Sequence, residues 1–308
     1  MQQLIRSLAL LLLNFLSCEE SFCQYYFYNE DYYDADVTWQ LGLSAGGMNC
    51  LTDLGGKNGY NRKFIKDVNW SATRPSGGFY AGANYHNMLG AKLELASGQI
   101  TATDDILKNQ GNTAVGRYQR NLNFRSEIKE LSFTLECYPL SVLAISDDGE
   151  TFLNPYIFSG IGYFSFNPET FYKNSWHKLA PFHTEGQDFT EYPARRKYSL
   201  KQYNMPLGIG LKHHPSPVVD CCFEICYRKL WTDYLDDVSS SYVDPVLFAK
   251  YFAGPKANLA AQLADRRLSA GALPARQAGE IRGNNTNNDT YFTFHLKIGI
   301  VLGRQKIK

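Results

Sequence analysis

Alternation is the feature that most constrains this chain. Eight segments, each near the ~10 residues a tilted membrane strand needs, put apolar and polar side chains on opposite faces of an extended backbone. The clearest runs from Phe292 to Leu302: Phe292, Phe294, Leu296, Ile298 and Ile300 share one face, and Thr293, His295, Lys297 and Gly299 share the other. Leu131, Phe133, Leu135 and Cys137 alternate likewise with Glu130, Ser132, Thr134 and Glu136. Val219, Cys221, Phe223, Ile225 and Tyr227 alternate with Asp220, Cys222, Glu224, Cys226 and Arg228. Trp39 to Leu51, Pro75 to Tyr85, Ala91 to Ile100, Pro155 to Phe166 and Tyr203 to His213 complete the set. A helix of period 3.6 could not keep such faces apart, so the pattern predicts strands.

The connections alternate too. Asn84 to Gly90, Pro139 to Glu150 and His213 to Pro217 are brief, whereas Thr52 to Arg74, Thr101 to Asn121, Asn167 to Gln202 and Trp231 to Asp289 are long. Short periplasmic turns opposite long outside loops are a barrel's signature. The fold expected is all-β: an eight-stranded antiparallel up-and-down transmembrane β-barrel with long extracellular loops and its N-terminus on the periplasmic side. Within the 231–289 loop, Asp244-Pro245 resembles an N-cap and first-turn proline, and Leu247 to Phe252 and Ala257 to Leu268 look helical, broken at Gly254-Pro255 and ended by Gly271.

The only long apolar run follows Arg6, from Leu8 to Leu16, too short to span a bilayer as a helix. It reads as the core of a signal peptide over residues 1–23, cleaved before Gln24, leaving 24–308 as one barrel domain. No second run reaches ~18 apolar residues, which excludes a helical inner-membrane protein and leaves a barrel or a soluble periplasmic β-sandwich. Cys50, Cys137, Cys221, Cys222 and Cys226 remain after the leader; Cys222 and Cys226 on one strand lie ~13 Å apart, too far for one ion or one disulfide, so they read as packing residues.

With 31 basic and 30 acidic residues the chain has no net field to draw nucleic acid. The most specific constellation is internal: Lys92, Glu94, Glu130, Glu136, Lys212, Glu224, Arg228 and Lys297 all fall on the expected lumen face. Charges there need partners, and an eight-stranded lumen has room for side chains and little else, so they predict a structural plug; a proton path or narrow pore is the functional alternative. The acidic stretch Thr232, Asp233, Tyr234, Leu235, Asp236 and Asp237, with Asp244, lacks the glycine-containing calcium-loop spacing and is expected to anchor loops. His213-His214 is expected to be a solvated turn pair. His177, His183, Glu185 and Asp188 share a loop without a catalytic motif. No cofactor, metal or small-molecule substrate is expected, and no enzyme activity.

Several runs stand out as words beyond the alternation. They are Gly42-Leu43-Ser44-Ala45-Gly46-Gly47-Met48-Asn49, Thr73-Arg74-Pro75-Ser76-Gly77-Gly78, Arg120-Asn121-Leu122-Asn123-Phe124-Arg125-Ser126 and Pro155-Tyr156-Ile157-Phe158-Ser159-Gly160-Ile161-Gly162. The most specific continues from Tyr227-Arg228-Lys229 through Thr232-Asp233-Tyr234-Leu235-Asp236-Asp237-Val238 to Tyr242-Val243-Asp244. Together these runs resemble the PorG-type, DUF6089-like outer-membrane barrel family associated with the type IX secretion system of Bacteroidetes, and the resemblance implies a non-enzymatic barrel in outer-membrane lipid, contacting a periplasmic ring lipoprotein and associated secretion or gliding proteins. The chain departs from the usual barrel ending, because Arg304, Lys306 and Lys308 follow the last strand in place of a terminal aromatic. The alternative is a stand-alone small porin or adhesin-like surface barrel.

Overall fold

The computed structural model describes residues 33–34, 36–55, 68–108, 115–142, 153–216, 218–269, 274–303 and 305–306. The expected signal peptide, Gln24, Pro217, Gly271, Arg304 and Lys308 lie outside them. Eight long strands form the barrel: β1 (Val37–Leu51), β2 (Arg74–Tyr85), β3 (Leu89–Thr103), β4 (Asn123–Cys137), β5 (Asn154–Ser165), β6 (Lys201–Ser216), β7 (Val219–Leu230) and β8 (Thr290–Leu302). Each pairs antiparallel with its sequence neighbours, and β8 closes on β1 from Thr290 opposite Leu51 to Leu302 opposite Trp39. A two-residue ladder, Tyr33–Asp34 with Gln305–Lys306, continues the seam below, so Lys306 belongs to a short strand.

The outer wall is apolar and exposed. Leu41, Leu43, Phe79, Leu93, Leu95, Phe133, Ile157, Ile161, Ile209, Leu296 and Ile298 are all exposed, a continuous surface that water would not tolerate and lipid would. From Phe292 to Leu302 the strand rises ~34 Å, or ~25 Å along an axis tilted ~40°, the height of a barrel's apolar band. Exposed Trp70, Tyr163, Tyr203 and Trp231 ring its loop end, and Trp39 and Tyr85 its turn end, where aromatic rings favour the interface. The β2–β3 turn is tight because His86 (φ 48°) and Asn87 (φ 51°) both take the left-handed conformation its twist requires.

The loop end folds into a cap. The helices Val246–Tyr251 and Pro255–Ala264 pack Phe248, Ala260 and Ala264 against Phe189 and Val243. Asp244 Oδ1 accepts the Val246 amide at 3.0 Å. Gly254, at φ 51°, turns the chain between the two helices. A hairpin, Glu169–Tyr172 with Ser175–Lys178, continues outward from β4.

Several boundaries differ from expectation. β4 begins at Asn123, well before Glu130, and β3 runs on to Thr103. The second helix stops at Ala264, where Asp265 turns extended, and Arg266–Ser269 is a separate 3-10 turn. His213 and His214 belong to β6 and not to a turn; His214 points inward and its Nδ1 lies 2.5 Å from Asp220 Oδ1, because the two strands continue to within a residue or two of each other.

Candidate functional site

The lumen is filled from turn end to loop end by stacked layers. Even-numbered residues of β1 to β7 and odd-numbered residues of β8 point inward. This register brings all eight expected lumen charges together. Lys92 pairs with Glu136 at 2.8 Å and with Glu224. Lys297 spans Glu94 at 2.6 Å and Glu224 at 2.8 Å. Arg228 Nε meets Glu130 Oε2 at 3.0 Å, and Lys212 lies 3.8 Å from Glu136. Four cations thus oppose four carboxylates.

Neutral groups complete the carboxylates' hydrogen bonding. Ser44 donates to Glu94 (2.8 Å), Tyr138 to Glu136 (2.8 Å), Tyr156 to Glu224 (2.6 Å) and Asn204 to Glu130 (2.8 Å). Room for the Tyr156 ring is made by Gly210, where a Cβ would fall 2.2 Å from its Cζ. Lys212 faces the rings of Tyr138 and Tyr156 at 4.8 and 5.7 Å, a cation–π contact in place of a second carboxylate. Cys222 and Cys226 are buried in this layer and Cys221 faces outward; all are free thiols.

Above the charges, Met48, Ile100, Ile128, Phe164, Leu230 and Tyr291 form an apolar layer that joins the base of the cap. The Thr232–Asp237 run closes it. Leu235 is fully buried in that layer, while the polar residues hold backbone. Asp236 accepts the amides of Leu54 (3.1 Å) and Val238 (2.9 Å). Asp237, at φ 65°, accepts the Tyr198 hydroxyl at 2.7 Å and the Thr184 hydroxyl. Thr232 Oγ1 accepts the Tyr234 amide at 3.2 Å, and the Tyr234 ring stacks on Tyr198 at 4.9 Å. Burial, with the Asp53 and Asp236 carboxylates beside it, pushes Asp233 up to about 8. Burial, then Asp53, pushes Asp236 up to about 8 as well. Asp237 rises only to about 6, because Arg282 opposes its burial.

Two arginines bind the loops together. Arg120 forks onto Asp104 at 2.8 and 2.9 Å and reaches the carbonyls of Asp53 and Arg282. Arg282 joins Glu185 (2.9 Å) to the carbonyls of Asp237 (2.6 Å) and Ala264 (3.2 Å). Glu185 in turn accepts the amides of Ser239 and Ser240. The roles of Glu185, Arg120 and Arg282 as ties are not readable from the sequence, because loops and short helices offer no register that would align such distant residues. His177 and His183 contact the Tyr172 and Gln187 carbonyls. Among the described residues, no group of three or more histidine, cysteine or acidic side chains converges on a metal position.

The family model described as "Domain of unknown function (DUF6089)" matches residues 32–246, from the start of the barrel to the first cap helix. No curated protein sequence matches the chain. Among solved structures it resembles Ail, the attachment invasion locus protein of Yersinia pestis, in complex with the heparin analogue sucrose octasulfate: 8% identity, 86% of this chain and 97% of that chain covered, TM-score 0.34. It also resembles the outer membrane protein OprG from Pseudomonas aeruginosa (11% identity, 88% and 97% covered, TM-score 0.34). A third is a major outer membrane protein from Thermus thermophilus (13% identity, 87% and 100% covered, TM-score 0.37). Each is a likeness of barrel fold alone.

Proposed function

The chain belongs to the DUF6089 family, and from that premise we propose that it is a non-enzymatic outer-membrane barrel serving as a structural component of the type IX protein secretion and gliding machinery. It is exported through a cleavable signal peptide over residues 1–23, and residues 24–308 form one domain. It sits in outer-membrane lipid and contacts a periplasmic ring lipoprotein and associated secretion proteins from its short-turn side. It uses no cofactor, small-molecule substrate or nucleic acid.

The filled lumen carries the structural reading. A pore needs a continuous wet path, whereas here every lumen charge is paired and an apolar layer lies across the loop end. The exposed apolar wall between two aromatic rims supports the membrane location. The secretion role rests on the sequence runs quoted above, the most specific of which, Tyr227 to Asp244, includes the Thr232–Asp237 segment that closes the apolar layer beneath the cap. In the source bacterium, deletion of the gene is expected to impair secretion of proteins bearing the type IX C-terminal signal; unchanged secretion would overturn that role. Mild-detergent purification of the tagged barrel is expected to recover ring lipoproteins. Steady single-channel conductance in a planar bilayer would instead favour the small-porin alternative, and ligand binding lost on truncating the cap would favour the adhesin.

A further inference from the structure

Charged side chains on the outward register of the barrel wall are confined to one sector and one end. Arg125, Glu127 and Lys129 lie on β4, Lys201 on β6 and Lys229 on β7, all toward the loop end; the outward positions of β1, β2, β3, β5 and β8 carry none. At the same height β3 presents neutral Ser97, Gln99 and Thr101. Arg125 is taken up by Glu169 at 3.0 Å and by the face of Trp176 at 3.7 Å, and Glu127 pairs with Lys129 at 3.3 Å. None of the described ion pairs involves Lys201 or Lys229.

These groups bracket the aromatic rim: Lys129 and Lys201 lie on its loop side, and Lys229, opposite Met205, lies on its membrane side one strand over. Ser165 is flanked in the ladder by Lys129 on one side and Lys201 on the other, which places the two lysine Cα atoms ~10 Å apart. One step toward the membrane, Tyr163 faces Tyr203 with ring centroids 5.2 Å apart. Trp231 is exposed two residues beyond Lys229, and exposed Arg196 and Lys197 precede Lys201 in the loop above. Aromatic rings mark the headgroup level, and long cationic side chains beside them extend toward phosphate. A barrel with no preference among lipids would gain from such cations all round its rim; this one concentrates them over β4 to β7, with exposed Arg74 at the loop end of β2 outside that sector.

We propose that the β4–β7 sector binds a phosphate-bearing glycolipid of the outer leaflet. Its phosphate is held by Lys201 and Lys229, whose Cα atoms lie ~14 Å apart so that their side chains reach toward each other past Tyr203, with Lys129 at the flank, and its sugar packs on Tyr163 and Tyr203. The inference rests on the outer-membrane placement above and on no secretion partner.

The test uses the full-length barrel purified in neutral detergent and offered bisphosphorylated lipid A, with retained lipid counted by native mass spectrometry. Wild type is expected to retain the lipid, and Lys201→Gln with Lys229→Gln to retain it about tenfold more weakly, through loss of charge-assisted contacts. Lys108→Gln with Lys256→Gln serves as control and is expected to match wild type. Dephosphorylated lipid A is expected to bind wild type as weakly as the phosphorylated lipid binds the variant, and added salt to erase the difference. Equal retention by the Lys201/Lys229 variant, or equal loss in the control, overturns the proposal. The comparison of phosphorylated with dephosphorylated lipid on wild type decides it even if the variant does not fold.

Discussion

Replacing Lys297 by methionine is expected to destabilise the barrel by about 3–5 kcal/mol, the range for removing one partner from a buried ion pair. Lys297 is only 2% exposed and holds Glu94 at 2.6 Å and Glu224 at 2.8 Å. Methionine keeps the length and apolar stem, so little cavity forms. Glu224 retains Lys92 and the Tyr156 hydroxyl. Glu94 keeps the Ser44 hydroxyl at 2.8 Å, with His295 4.0 Å away and the Lys92 charge acting from farther off, but no other ion pair to a lysine or arginine among the described residues. The loss therefore falls on Glu94, and Glu94→Gln in the Lys297→Met background is expected to recover more than half of it by restoring charge balance. Urea unfolding of barrels refolded into phospholipid vesicles, followed by heat-modifiable gel mobility and tryptophan fluorescence, measures both. A Lys297→Met barrel within ~0.5 kcal/mol of wild type, the range of inconsequential surface changes, would refute the reasoning. It would mean that water reaches Glu94 and that the lumen is not sealed by its own side chains.

Three further outcomes follow from the geometry. Gly210→Val is expected to cost ~1–3 kcal/mol or more and lower the yield of heat-modifiable barrel, because its Cβ alone would meet the Tyr156 ring; wild-type stability would show that ring free to move aside. Arg282→Ala strands the buried Glu185 carboxylate and is expected to open the cap to protease while the barrel keeps its heat-modifiable mobility; an intact cap would exclude Arg282 as its tie. Asp233 and Asp236, pushed up to about 8, stay protonated in the folded cap where an unfolded chain has released the proton above ~4. Cap stability is therefore full below ~pH 4 and declines as pH rises to ~8. Near-UV circular dichroism of the Tyr198–Tyr234 stack should melt at higher temperature at pH 5 than at pH 8.5, with Asp236→Asn narrowing the gap; a melt that rises with pH contradicts this.

The barrel was legible because membrane strands must separate a lipid face from a lumen face at every residue, and period-two alternation records that. The upper half of β4 was missed for a physical reason. From Asn123 to Lys129 the polarity inverts, with Arg125, Glu127 and Lys129 outward and Phe124 and Ile128 buried within, since above the lipid the outside is wet and the inside is the apolar base of the cap. Lumen charges could be assigned to a face from parity alone, but not paired: Lys297 and Glu94 are 203 positions apart. The cap's ties were illegible, since Glu185 and Arg282 are 97 positions apart in loops that have no repeating period to align them.

Closure by β8 also governs the order in which this protein can come into being. The seam joins Trp39 to Leu302, so the loop being closed contains the whole barrel, the slowest kind of contact to make. Until β8 arrives, β1 and β7 are open edges, and Glu94 and Glu224 face an interior short of one counter-ion. β8 is thus the strand that both zips the cylinder and neutralises its interior. Without β8 the other seven strands leave β1 and β7 unpaired at the seam, so closure of the cylinder waits for residues 290–302.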